Sequence, residues 1–151
     1  MKHSGWKMMV AACVALLAGC SESPTEIVAE EMELAQARAL WDARGADDYS
    51  MTVRLTGAWF SGAAEIWVRD GAPVWVHPIG SNSGVSAEIF SSYDTVEELF
   101  RILEAADEEN AELVEARFHA RYGLPVDVYV DWRRNAVDDE TGFIVESFEL
   151  R

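Results

Sequence analysis

The chain has 151 residues, half of them hydrophobic, with 12 Lys and Arg against 27 Asp and Glu and a formal net charge of −15. That length suits one domain with its own core, not two. The negative charge repels nucleic acid and anionic lipid headgroups, so neither nucleic-acid binding nor a basic helix lying on a membrane is expected.

The first element is a targeting signal. Lys2 and Lys7 form a charged start without acids, and Met8 to Ala18 are apolar and small. This stretch is too short for a permanent membrane span and has the length of a signal-peptide core. It ends in Leu17-Ala18-Gly19-Cys20, the pattern of a bacterial lipoprotein signal. The chemistry explains the Cys. Its thiolate is alkylated by a diacylglycerol, and cleavage frees its amine for acylation. One acyl chain holds a protein marginally, and more than one holds it stably. The expectation is a signal peptide over 1–19, a lipidated tether over 20–25 and a single domain over 26–151. Ser21, rather than an Asp after the Cys, leans the location towards the outer membrane, facing the periplasm. Cys20 is then the lipidation site, and the membrane is reached through its lipid.

Cleavage removes Lys2 and Lys7, leaving ten cations against 27 acids, a net charge of −17. Cys13 leaves with the signal and Cys20 carries lipid, so the domain has no disulfide and depends on its core. Five Trp remain to build that core.

Glu26 to Arg44 reads as a helix, with Thr25 as cap, Ile27, Leu34 and Trp41 at seven-residue spacing, and Gly45 as its stop. Tyr49 to Thr56 alternates cleanly and reads as a half-buried strand. Gly57 to Gly62 is a loop with Trp59 and Phe60 at its tip. Ala64 to Arg69 and Pro73 to Ile79 are strands joined by an Asp70-Gly71 hairpin turn. A plain two-residue turn puts Ile66 and Val68 on one face with Trp75 and His77, and Trp67 on the other with Val74 and Val76. Pro73 suggests a sheet edge. Gly80 to Gly84 is a Gly/Ser loop. Thr95 and Glu98 form a capping box before a helix with Val96, Leu99, Phe100 and Leu103 as its apolar stripe. Ala111 to His119 is open between helix and strand. Val126 to Val130 alternates as a strand, Asn135 to Gly142 is a polar turn region, and Phe143 to Leu150 is the last strand. The fold class expected is α+β: an antiparallel sheet of about five to six strands, with one N-terminal helix and one mid-chain helix packed on it.

Several landmarks then come together. They are Thr95-Val-Glu-Glu-Leu-Phe100, Tyr122-Gly-Leu-Pro125, Val128-Tyr-Val-Asp131, and Asn135 followed by Asp138-Asp-Glu140. Upstream, Trp41, Tyr49 opening a strand and Val68-Arg-Asp-Gly71 agree with them. Together they resemble a family of small bacterial secreted proteins and lipoproteins classified only as a domain of unknown function. The resemblance runs from about Leu40 to Leu150. It implies that Leu113 to His119 is a strand, and it implies no activity. The chain departs from the family pattern at two places. The loop after the first strand lacks the cysteines that many members carry, and His119 stands where members often have Asp.

The chemistry of the remaining residues is sparse. Catalytic zinc takes about three protein ligands, and the mature chain has only His77 and His119 and no free Cys. Gly80-Ser-Asn-Ser-Gly84 has Asn82 at its centre, where a nucleophile elbow has Ser. Asp131, Asn135, Asp138, Asp139 and Glu140 offer oxygen ligands for calcium, although Arg133 and Arg134 intervene and the spacing is not that of an EF-hand. An Asx-rich turn explains the same residues. For binding, the candidates are Trp59, Phe60, Trp67 and Trp132, since exposed aromatics anchor interfaces, and Trp67 and Trp132 are expected to add a sheet-face patch together with Trp75 and Tyr129. No catalytic residues and no cofactor are expected. The leading expectation is a lipid-anchored envelope module that binds a protein or ligand. A calcium or small-molecule binder comes second, and a hydrolytic enzyme third.

Overall fold

The computed structural model describes residues 27–56, 61–80, 86–133 and 139–151. Seven antiparallel strands make one sheet: β1 Ala29–Glu30, β2 Tyr49–Thr56, β3 Ser61–Arg69, β4 Ala72–Ile79, β5 Leu113–His119, β6 Pro125–Asp131 and β7 Thr141–Leu150. Their order across the sheet is β1-β5-β6-β7-β2-β3-β4. Helices α1 Leu34–Arg44 and α2 Val96–Glu108 and a 3-10 helix, Ala87–Ser92, are the other regular elements among the described residues. The expectation of five to six strands and two helices is therefore corrected. The protein is richer in strand, with three short helices.

Two elements account for the difference. The first lies inside the expected N-terminal helix. Ala29 and Glu30 pair with His119 and Phe118 instead, and the Val28 carbonyl accepts from the Ala120 N–H at 2.9 Å. The helix begins only at Leu34, and Glu33 before it makes no side-chain cap. Ile27, Ala29 and Met32 spend their apolar surface on the core while the backbone pairs with β5. Thr25 and Glu26 lie outside the described residues. The second is the 3-10 helix, where the Ser86 side chain accepts from the Glu88 N–H at 3.3 Å and Phe90 is fully buried.

The helices cover one face of the sheet. On that face Tyr49, Met51, Val53 and Leu55 of β2 meet Ile66 and Val68 of β3, Val126, Val128 and Val130 of β6, and Phe143, Val145 and Phe148 of β7. α2 buries Val96, Leu99, Phe100, Leu103 and Ala106, the stripe read from its spacing plus one turn. Full burial of each large apolar side chain contributes about 1.5–3 kcal/mol, before conformational entropy is set against it. Thr95 Oγ1 accepts from the Glu98 N–H at 3.2 Å, as the capping box requires. Glu98 itself turns away to pair with Arg101. Gly45 ends α1 in the left-handed conformation, with φ 57°.

α1 touches the sheet through Trp41. Its ring lies edge-on to Tyr49 at 5.7 Å and to Phe148 at 6.0 Å, and Tyr49 and Phe148 are 5.4 Å apart. Trp41 Nε1 donates to Glu97 on α2 at 3.0 Å, and Arg38 pairs with Glu97 at 2.7 Å. Gly123, at φ 76°, is needed where the β5–β6 turn passes α1, because an added Cβ would collide with the Ala37 carbonyl oxygen.

The β3–β4 hairpin holds a second correction. Asp70 and Gly71 both have positive φ, 51° and 72°, as a two-residue turn between twisted strands demands. The register then shifts between Trp67 and Val68: Val68 pairs with Pro73, but Trp67 pairs with Trp75 and Ile66 with Val76. Val74 is the extra residue of a bulge. Because side chains alternate with period two, one inserted residue exchanges the faces of everything beyond it. Trp75 and His77 therefore share the face of Trp67, opposite to the expectation from a plain turn.

Burial pushes the Tyr49 phenol up to about 12, so it stays protonated at any ordinary pH. Its oxygen accepts from the Val96 N–H, the first of α2, at 2.9 Å. Tyr49→Phe keeps the ring and leaves that N–H without its acceptor. The expected loss is about 1–3 kcal/mol in a urea titration, with an unchanged fold by circular dichroism.

Candidate binding surface

No helix covers the other face of the sheet among the described residues. Its centre is polar and self-satisfied. Arg54 pairs with Glu146 at 2.6 Å, and the Ser147 hydroxyl donates to Thr52 Oγ1 at 2.9 Å. Towards β4 the face becomes aromatic. The Trp67 and Trp75 rings lie 5.3 Å apart, and His77 stacks on Trp75 at 5.1 Å with 17° between planes. Trp67 and Trp75 remain 38% and 41% exposed, and Ile79 41%. Large rings left in water on a bare sheet face have the composition of a contact surface. The Arg151 guanidinium sits 4.6 Å over Trp67 and its Nε donates to Ser50 at 3.2 Å, while Trp67 Nε1 donates to Glu65 at 3.0 Å. Trp67 is thus held in one orientation from both sides.

The four aromatics singled out in sequence do not form one surface. Trp67 belongs to the bare face. Trp132 is half-buried against the core and donates to Thr141 Oγ1 at 3.2 Å. Trp59 and Phe60 lie outside the described residues. Trp75 and His77 complete the patch instead. Nothing in the alternation alone marks them, because the bulge sets their face.

Towards β5 the bare face is acidic. Glu115 pairs across strands with Tyr129, and Asp127 and Asp131 flank Tyr129 along β6. Partial burial, then the charges of Glu140, Asp131, Glu115 and Asp139, push the Tyr129 phenol up. Of the residues considered for calcium, Asn135 and Asp138 lie outside the described residues. Asp131 ends β6, and Asp139 and Glu140 lead into β7. Both Asp139 carboxylate oxygens are buried without a hydrogen-bond partner among the described residues. Among the described residues no group of three or more His, Cys, Asp and Glu is placed to hold a metal.

The two described histidines, His77 and His119, sit on strands at opposite sides of the sheet, β4 and β5, too far apart to share a ligand. His119 is 7% exposed, its Nδ1 accepts from the Arg121 N–H at 3.1 Å, and its ring lies 4.6 Å from Tyr122. Residues 81–85, which include the Gly/Ser loop serines, lie outside the described residues. Cys20 does as well. No described helix is long and apolar enough to cross a membrane.

Desolvation pulls the His119 imidazole below its usual 6.5. The unfolded chain therefore takes up this proton first as pH falls, and stability from this residue is lost downwards from about that value. Protonation also removes the acceptor for the Arg121 N–H. A melting series from pH 7.5 to 5 is expected to fall more steeply for the native chain than for His119→Asn, whose Oδ1 accepts without titrating. Parallel curves would contradict this.

A family model described as Family of unknown function (DUF6174) matches residues 33–150. No curated protein and no solved structure matches the chain. The match takes in α1, the 3-10 helix, α2 and every strand except β1, so the chain belongs to this family of unknown function.

Proposed function

We propose that this protein is a lipid-anchored component of the bacterial envelope that works as a binding module. The observation that carries the binding half is the bare sheet face with Trp67, Trp75 and His77 clustered at one side. A folded domain gains nothing from leaving two indoles in water, whereas a partner that buries them gains their full apolar area. The anchor half rests on Leu17-Ala18-Gly19-Cys20 behind a short apolar stretch. The domain's charge opposes anionic headgroups, so lipid on Cys20 supplies the membrane affinity.

Cys20→Ser tests the anchor. The variant is expected to move from the membrane pellet to the soluble fraction, and a variant that stays with the membrane defeats the reading. The face is tested by Trp67→Ala with Trp75→Ala. Both rings are partly exposed, so folding is retained while crosslinking to envelope proteins through this face drops at least tenfold.

A second reading, calcium or small-molecule binding, draws on the unpartnered Asp139 carboxylate. Buried anionic oxygens without a donor are costly, and a cation would offset that cost. Millimolar calcium is expected to raise the melting temperature on this reading, with the rise lost in Asp139→Ala. An unchanged melting temperature removes it.

A further inference from the structure

The two edges of the sheet are finished differently. β4 is the last strand on its side, with Pro73 and Pro78 along it. Proline has no N–H to offer an incoming strand, so this edge resists extension. At the other side β1 covers β5 only at Phe118 and His119. From Leu113 to Arg117 no strand lies beside β5 among the described residues. The chain leaves β1 after Glu30 and turns into α1, so it does not fill the gap. No proline interrupts β5.

The open edge has two different flanks. On the helix side a groove of about 290 Å³ runs beneath it, with Met32, Leu34, Leu103, Val114, Ala116 and Phe118 supplying its apolar wall and Glu33 and Asp107 also lining it. Val114 is 42% exposed there, although its face of the sheet is core elsewhere. On the bare side stands Glu115, with Tyr129 opposite it and Asp131 beyond. Neither Glu115 nor Asp131 pairs with an arginine among the described residues, while the acids Glu97, Glu98, Glu146 and Glu149 all do. Arg117 closes the far end, its guanidinium donating to the Ala29 carbonyl at 2.9 Å.

A strand laid on this edge sends alternate side chains to the two flanks. One set enters the apolar groove, and the other meets carboxylates. We propose that the open edge of β5 is a strand-addition site for an extended partner segment of about five residues in which apolar and basic side chains alternate. Main-chain hydrogen bonds to Leu113–Arg117 supply the framework, Val114 and its neighbours take the apolar side chains, and Glu115 takes a cation. This rests on the binding-module half of the proposed function and adds a second surface, distinct from Trp67 and Trp75. It does not depend on the lipid anchor, which Cys20→Ser tests separately.

The probe is an acetylated six-residue peptide of alternating valine and lysine, added to the full chain. Hydrogen exchange is expected to slow at residues 113–117 and to stay unchanged along β4. Val114→Glu and Glu115→Lys, both at solvent-accessible positions, are each expected to weaken binding at least tenfold, and Glu88→Gln, exposed on the 3-10 helix, less than twofold. Two N-methylated versions test the backbone bonds, one methylated on the valines and one on the lysines. The version methylated on the edge that faces β5 is expected to lose binding, and the other to keep it. Retention by both versions overturns the proposal, since side-chain attraction alone would then suffice. So does slowed exchange at β4 in place of β5. Loss of binding in millimolar calcium, with the Asp139→Ala variant immune to it, would assign the acidic flank to a metal and overturn it as well.

Discussion

The hydrogen bond from the Val96 N–H to the Tyr49 hydroxyl joins the three parts of the core. Tyr49 opens β2 beside the last strand, Val96 opens α2, and Trp41 of α1 closes over the same ring. A helix start has N–H groups with no partner in the helix, and burying one without an acceptor is costly. Here a strand tyrosine serves as that acceptor. The same contact fixes where α2 lies on the sheet, and thereby puts Leu103 under β5 as the floor of the apolar groove. Each aromatic pair around Tyr49 contributes about 0.5–1.5 kcal/mol beyond area burial, so the cluster is held by several modest terms that depend on one placement.

Much of this was legible in the residues. The alternation of β2, β6 and β7, the Asp70-Gly71 turn, the Thr95 cap and the stripe of α2 each follow from local chemistry that the tertiary structure does not override. The failures have tertiary causes. Ile27 to Glu33 has a helical composition, but β5 has a vacant edge at Phe118 and His119, and pairing there outweighs propensity. The bulge at Val74 leaves no mark in the alternation, yet it decides which aromatics share a face. The candidate surface was half visible for that reason: Trp67 and Trp75 stood out by type, while their common face, and the place of His77 beside them, came only through register. The acids of the polar turn were visible as a cluster. That Asp139 lacks a partner is a matter of packing, which composition does not encode.

One layer of helices on one face leaves the sheet with a bare side and two edges. Natural sheets protect such edges because an unpaired strand is a template for another. This protein protects β4 with prolines, and among the described residues β5 is covered only at Phe118 and His119. Charge is also distributed unevenly: arginines neutralise acids near α1, at the sheet centre and near Arg151, but among the described residues none pairs with the acids beside Tyr129. The aromatic surface and the acids beside Tyr129 therefore belong to the face that no described helix covers, while the open edge borders the helix side through Leu34 and Leu103.

The position of β7 has a consequence for how the chain acquires its structure. β2, β3 and β4 follow one another in space as in sequence, and so do β5, β6 and β7. The two meanders meet only where β7 pairs with β2, some ninety residues apart along the chain. The middle of the sheet is thus made by β7, Thr141–Leu150. Local hairpins form early, but the long-range closure that unites them waits for that strand. Until β7 docks on β2 the chain remains in two unjoined halves, so this one strand acts as the lock of the folded state.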